Sequence, residues 1–174
     1  AVIGADCAAA NGFTLPPLPE SFLMKYLEMH SSAVIQPRNP LDLGDLFDFD
    51  VYAQLMEMAA AHPDFDAVVL SHVYVADARR HGSRRLVSKA EELARQYGKP
   101  IAVVLFSDGQ ELAELKKLNA YPFFTSMEQA FTALAASQKN VARKERRSRK
   151  EECVPAEAAC AAAGKVAGLK AAGR

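Results

Sequence analysis

The 174 residues suffice for one ordinary domain and a tail but not for two full domains, and half of them are apolar, enough for a packed core. Twenty-one basic side chains balance 21 acidic ones, which argues against nucleic acid or an anionic membrane as the main partner. No run of about 18 apolar residues exists to span a bilayer, no basic-then-apolar leader opens the chain, and three widely spaced cysteines, Cys7, Cys153 and Cys160, favour reduced thiols and a cytoplasmic location.

Residues 1–11 read as a short helix with Ile3, Cys7 and Ala10 on one face, stopped by Asn11-Gly12. Residues 13–15 read as a very short strand. Pro19 suits the first position of a helix whose apolar stripe is Phe22, Leu23, Tyr26 and Leu27. Residues 31–43 hold Pro37 and Pro40, show no sustained period and read as a long loop. Asp48 or Asp50 caps the next helix, which turns Val51, Leu55, Met58 and Ala59 inward and ends before Pro63.

The apolar run AVVLSHVY, residues 67–74, is of strand length. A helix over 79–97 buries Leu86, Ala90, Leu93, Ala94 and Tyr97, and Gly98-Lys99-Pro100 stops it. IAVVLF, residues 101–106, is a second strand, apolar on both faces. Ser107-Asp108-Gly109 then turns into a helix carrying Leu112, Leu115 and Leu118. Residues 122–125 form a third, shorter strand, and Ser126 caps a last helix with Met127, Ala130, Phe131 and Leu134 inward.

Doubly apolar strands alternating with amphipathic helices predict a parallel sheet covered on both faces, joined by right-handed crossovers. The fold class is therefore α/β, a flavodoxin-like doubly wound parallel sheet in three α/β/α layers. Such a sheet opens with a central strand, and this chain opens with a helix at Ala1, so the expected domain lacks its first central strand and reads as a cut piece. It spans residues 1–138. Residues 139–174, a dense charge run followed by an Ala/Gly/Lys-rich stretch, read as a charged linker, partly helical at most.

Few side chains suggest chemistry. Asn39-Pro40-Leu41-Asp42-Leu43-Gly44 has the composition of a rigid turn, and its functional alternative is a loop at the carboxyl edge of the sheet, where α/β folds place ligands. Ser71 and His72 are consecutive in a strand and so face opposite sides, which rules them out as a nucleophile–base pair; a partly buried structural histidine is the better reading. His30, His62 and His81 show no metal-ligand spacing, and Cys153 and Cys160 have no second pair to complete a zinc site. Arg143, Lys144, Arg146, Arg147, Arg149 and Lys150 are interleaved with Glu145, Glu151 and Glu152 and lack aromatics for base stacking, so a solvated run is favoured over an RNA-binding patch. No Walker-type loop and no GxGxxG string occurs.

Five strings in order, ADCAAANGFTLPPLPES, NPLDLGD, AHPDFDAVVL, GKPIAVVLF and NAYPFFTSMEQAFTALAA, resemble the second flavodoxin-like ligase domain of the NDP-forming acyl-CoA synthetases, relatives of succinyl-CoA synthetase. The resemblance covers residues 1–137. It implies a ligase that makes acyl-CoA from a carboxylic acid, CoA and a nucleoside triphosphate through a phosphohistidine relay. In that family the phosphohistidine sits in the preceding domain and the nucleotide on an ATP-grasp module. The resemblance therefore implies a non-catalytic piece that binds no cofactor itself, while ATP/ADP, Mg and CoA serve the full enzyme. Its implied partners are the CoA-binding, phosphohistidine and ATP-grasp modules, with neither nucleic acid nor membrane. By the same resemblance Ala1, Val2, Ile3 and Gly4 form a helix start facing the phosphoryl group, with Asn39, Pro40 and Asp42 in a supporting loop. The Gly-Gly loop that precedes this helix in the family does not occur in the chain, and no residue is expected to act as acid, base or nucleophile. Two rival readings are a scaffold or regulatory domain of a synthetase-like protein such as an acetyltransferase, and a stand-alone flavodoxin-like interaction module.

Overall fold

Strand β1 (Val68–Val73) and strand β2 (Ile101–Phe106) pair in parallel, Val68 opposite Ile101 and Val73 opposite Phe106. A two-residue β3 (Phe123–Phe124) pairs with β2 on its other side, also in parallel, which gives the order β1-β2-β3. In this computed structural model the described residues are 1–29, 37–44, 46, 48–73 and 76–152. Six helices accompany the strands among them: α1 (Val2–Ala10), α2 (Glu20–Met29), α3 (Phe49–Ala61), α4 (Ala76–Tyr97), α5 (Gly109–Leu118) and α6 (Met127–Glu152). The chain divides into two compact units, Ala1–Ala135 and Ala136–Arg174.

The period of two along β2 sorts the core into its two layers. Ile101, Val103 and Leu105 point into one cluster with Tyr52, Met56 and Ala60 of α3, Leu86, Val87, Ala90 and Leu93 of α4, and Leu115 of α5. Ala102 and Val104 point the other way, against Ala8 of α1 and Ala130, Phe131 and Leu134 of α6. Helices thus cover both faces of a parallel sheet, the flavodoxin-like α/β/α arrangement. Because β2 is flanked on both sides and covered on both faces, its first five residues are all buried. On β1, Ser71 is exposed and His72 buried, as strand alternation requires. Among the described residues β1 pairs with β2 alone, and no strand precedes α1.

Several local expectations are corrected. Residues 13–15 are not a strand. The Phe13 amide donates to the Ala8 carbonyl at 2.9 Å and that of Gly12 to Ala9 at 3.1 Å, with Gly12 at φ 79. This is a Schellman end to α1, in which Phe13 is the apolar residue that closes back on the helix; its ring also lies 5.6 Å from that of Phe131. On α1 itself the inward residues are Gly4 and Ala8, whereas Ile3 is 71% exposed. A Cβ on Gly4 would sit 3.3 Å from Met127 Cε, a tight contact with the end of a flexible side chain, and a search for large apolar side chains picks the wrong face.

Pro19 lies just outside α2, its carbonyl accepting from Phe22 and Leu23, and Leu27 is exposed while Phe22 and Tyr26 are buried. Helix α3 is apolar on two sides. Leu55, with Val51, Met58 and Ala59, packs against Phe22, Tyr26 and Phe65, whereas Tyr52, Met56 and Ala60 face the sheet. Leu118 is exposed at the end of α5. The charge run over residues 141–152 is helix, continuous with α6. Residues 31–36 of the expected long loop lie outside the described residues, as do His30, Cys153 and Cys160.

Candidate functional site

In a parallel sheet the loops beyond the carboxyl ends of the strands collect the starts of the following helices. Helix α5 begins three residues after β2, and α6 three residues after β3. The contact between Gly4 and Met127, the first residue of α6, places the start of α1 at this same edge. Val73 and Phe106, register partners at the last positions of β1 and β2, are both exposed there.

The helix starts differ in how their unpaired amides are met. Asp48 Oδ1 accepts from the amides of Asp50 at 2.9 Å and Val51 at 3.2 Å at the head of α3. Asp108 Oδ1 accepts from Glu111 at 2.9 Å at the head of α5, and Ser126 Oγ from Gln129 at 3.2 Å at the head of α6. Helix α1 has Ala1 at its cap position, no side-chain cap and no acidic residue in its first turn. Its first amides, on Val2, Ile3 and Gly4, have no acceptor within the helix, and the aligned peptide dipoles leave partial positive charge on them. Val2 and Ile3 are more than two-thirds exposed.

The turn 39–44 is held from within the fold. Asn39 Nδ2 donates to the Pro16 carbonyl at 2.9 Å, Asp42 Oδ1 accepts from the Gly44 amide at 3.0 Å, and Gly44 takes φ 58, where a side chain would be strained. The Asn39–Pro40 bond is cis. Leu41 and Leu43 enter the cluster around Phe22 and Tyr26. Burial, with Asp42 adding its negative charge, pushes the Tyr26 phenol above its ordinary pKa. The polar contacts of Asn39 and Asp42 run to Pro16 and Gly44, and no described hydrogen bond or ion pair joins them to Ala1, Val2, Ile3 or Gly4.

Two polar contacts beside the strand ends were not anticipated. Arg84 grips Glu111 with two bonds, Nε to Oε1 and an Nη to Oε2, each 2.7 Å, and Glu111 is only 4% exposed. The motif Asp108-x-x-Glu111, a capping-box spacing, was the signal that could have drawn attention to Glu111. His72 Nε2 lies 2.9 Å from Ser83 Oγ, and its ring packs on Phe49 and Tyr52. Ser83 is wholly buried, so the pair ties α4 to β1 and is closed to a substrate. Among the described residues no group of three His, Cys, Asp or Glu side chains converges to hold a metal, and no helix is long and apolar enough to cross a membrane.

A scan of known protein families finds no match, and a sequence search of curated proteins finds none. Solved structures do match. The chain superimposes on the apo form of the dinucleotide forming acetyl-coenzyme A synthetase 1 of Ca. Korarchaeum cryptofilum with a TM-score of 0.62 and 25% identity, over 78% of this chain and 30% of that one. On the complex of that enzyme with phosphate and ADP the TM-score is 0.64 at 23% identity, over 88% of this chain and 33% of that one. The chain thus spans about a third of the length of the structures it matches. This likeness, together with the α/β/α sheet, is consistent with a domain of the NDP-forming acyl-CoA synthetases.

Proposed function

We propose that the chain is a non-catalytic part of an NDP-forming acyl-CoA synthetase, and that it contributes the open start of α1 to the surface facing the relayed phosphoryl group. The observation that carries the reading is the likeness to an acetyl-coenzyme A synthetase at 25% identity across most of this chain. The contrast among helix starts supports the finer part: α3, α5 and α6 meet their first amides with side chains, and α1 does not. A phosphoryl oxygen at that place would accept from backbone amides and lie on the positive end of the helix dipole. The exposed Val2, Ile3, Val73 and Phe106 give the same edge an apolar border suited to contact with a neighbouring module.

In this proposal the acid substrate, CoA, Mg and the nucleotide are bound by other modules, and the phosphohistidine is supplied by one of them. Two measurements test it. Isothermal titration of the chain with ATP and with CoA should be flat, and tight stoichiometric binding of either overturns the non-catalytic reading. In an assembled synthetase carrying this chain, Ala1→Asp should stabilise the fold and slow acyl-CoA formation, because the new carboxylate caps and neutralises the amides that would meet the phosphoryl group. Unchanged turnover with a stabilised fold overturns the role of α1.

A further inference from the structure

The two compact units differ in charge and in how their cations are met. Residues 1–135 carry 11 basic and 17 acidic side chains, a net of −6, and residues 136–174 carry 10 basic and 4 acidic, a net of +6. Residues 139–150 alone hold seven cations and one carboxylate. That stretch is helical throughout, as the end of α6, and Lys139, Arg143, Lys144, Arg146, Arg147 and Arg149 are all exposed. On α4 and α5, by contrast, Arg84, Arg85, Lys89, Arg95 and Lys117 each pair with a carboxylate. Among the described residues no hydrogen bond or ion pair engages Lys139, Arg143, Lys144, Arg146 or Arg149.

Helical phase arranges this charge in a way that the linear string hides. At about 100° per residue the exposed cations spread over an arc of roughly 220°, with Lys139 and Arg143 near its middle, Arg149 at one margin and Lys144 at the other. The opposite side carries the positions of Val141, Glu145, Ser148 and Glu152, which fall within about 60° of one another. Two of the carboxylates that interrupt the run in sequence are thus collected, by position, on the back of the helix, and Glu151 falls near the Lys144 margin. Cations close to a helix C-terminus also meet its dipole. That effect is confined to the last turn, however, and of the exposed cations all but Arg149 lie before it.

We infer that residues 139–150 bind duplex DNA, the helix lying in the major groove with the middle of its cationic arc toward the base edges and its two margins on the phosphates of the two walls. A partner that touches one side needs only a narrow stripe of charge. An arc wider than half the circumference suits a partner that is anionic on both sides of the helix at once. The major groove of B-form DNA is about 12 Å wide and admits a helix of about 10–12 Å with its side chains, whereas that of duplex RNA is too narrow. A single strand is disfavoured because residues 136–152 hold no aromatic side chain to stack on its bases. A membrane surface is disfavoured because Val141 is the one larger apolar side chain there, too little for a helix to lie in an interface. The zero net charge of the whole chain weighs against nucleic acid as its main partner; the contact inferred here is local and draws on the charge of the second unit alone. It is independent of the synthetase reading.

Fluorescence anisotropy of the full chain with a labelled 20-base-pair DNA duplex tests it. With about four phosphates engaged, log affinity falls against log salt with a slope of about −3.6, so the dissociation constant should rise about 150-fold, from about 1 µM at about 50 mM salt to about 150 µM at about 200 mM. Arg143→Glu/Arg146→Glu should abolish binding at the lower salt, with circular dichroism confirming that the helix persists. Lys144→Gln and Arg149→Gln, at opposite margins, should each make the slope shallower by about 0.9, and Ser148→Arg, which adds a cation at the back, should leave it unchanged. No binding at low salt overturns the inference. So does a single strand, an RNA duplex or polyglutamate bound as tightly as the DNA duplex, or a Ser148→Arg slope steepened by as much as Lys144→Gln makes it shallower.

Discussion

Helices α1 and α5 both begin at the carboxyl edge of the sheet, and their first turns are built in opposite ways. At α5 every device is present: Asp108 accepts from the Glu111 amide, Glu111 is sealed in the fold, and Arg84 clamps its carboxylate with two 2.7 Å bonds. At α1 there is no side-chain cap and no carboxylate, and the apolar side chains of Val2 and Ile3 stand in solvent. Satisfied amides add stability, whereas unsatisfied ones are a standing attraction for an external anion. Among the described helix heads, those of α3, α5 and α6 carry side-chain caps and that of α1 carries none.

The comparison can be tested at several points, from the largest expected effect to the smallest. Glu111→Ala leaves the Arg84 guanidinium without its carboxylate in a partly buried setting. Breaking such a pair costs about 3 kcal/mol, the low end of the range for buried pairs because Arg84 is 24% exposed. Urea unfolding measures it, and a loss comparable to an exposed ion pair would show that the α5 clamp is ornamental. Gly82→Ala follows. An added Cβ would lie 2.4 Å from Phe49 Cδ2, so overpacking by about 1–3 kcal/mol outweighs the gain in helix propensity. A stabilised variant would contradict the close passage of α4 against α3.

Removing the α5 cap with Asp108→Ala should cost about 1 kcal/mol, and supplying one at α1 with Ala1→Asp should add up to about 1 kcal/mol. Equal and opposite shifts in unfolding free energy would confirm that the two starts differ only in their caps; no gain at Ala1 would mean that the α1 amides already have a partner. The smallest effect concerns pH. The folded-state pKa of Tyr26 is raised by burial and by Asp42, so the folded state favours the neutral phenol. That contribution is complete below the unfolded pKa of about 10 and is lost as pH rises through the folded value. Stability should therefore fall on the alkaline side of pH 10, and Tyr26→Phe should remove part of the fall. Tyr97 and Tyr121, raised mainly by burial, and Lys89, raised mainly by its hydrogen bond to Glu92, act in the same direction.

Much of the fold is legible residue by residue. IAVVLF is a strand over the same six residues expected of it, because a doubly apolar run bounded by Gly98-Lys99-Pro100 and Ser107-Asp108-Gly109 has few other solutions. The stop at Asn11-Gly12 and the caps at Asp48 and Ser126 were readable for the same reason, since each depends on neighbours within about four residues. The inward face of α1 was not readable. It is set by packing against α6, and the residues turned inward, Gly4 and Ala8, carry no large apolar side chain. Only one of the two buried sides of α3 was visible, because a helix packed on both a sheet and another helix has no single stripe.

The candidate site divides along the same line. That Ala1–Gly4 begin a helix without a capping side chain follows from the residues present, but that this start lies beside Met127 at the carboxyl edge is a tertiary fact. The bidentate clamp between Arg84 and Glu111 joins positions 27 apart, and the bond between His72 and Ser83 joins a strand to a helix across the core. What the order of amino acids determined alone was the alternation of elements, the parallel sheet and the local stops and caps, all governed by steric and hydrogen-bonding rules of short range. Which helix faces touch and which polar groups are sealed were decided only when distant segments met. Burial depends on what arrives from elsewhere in the chain, and no local pattern contains that information.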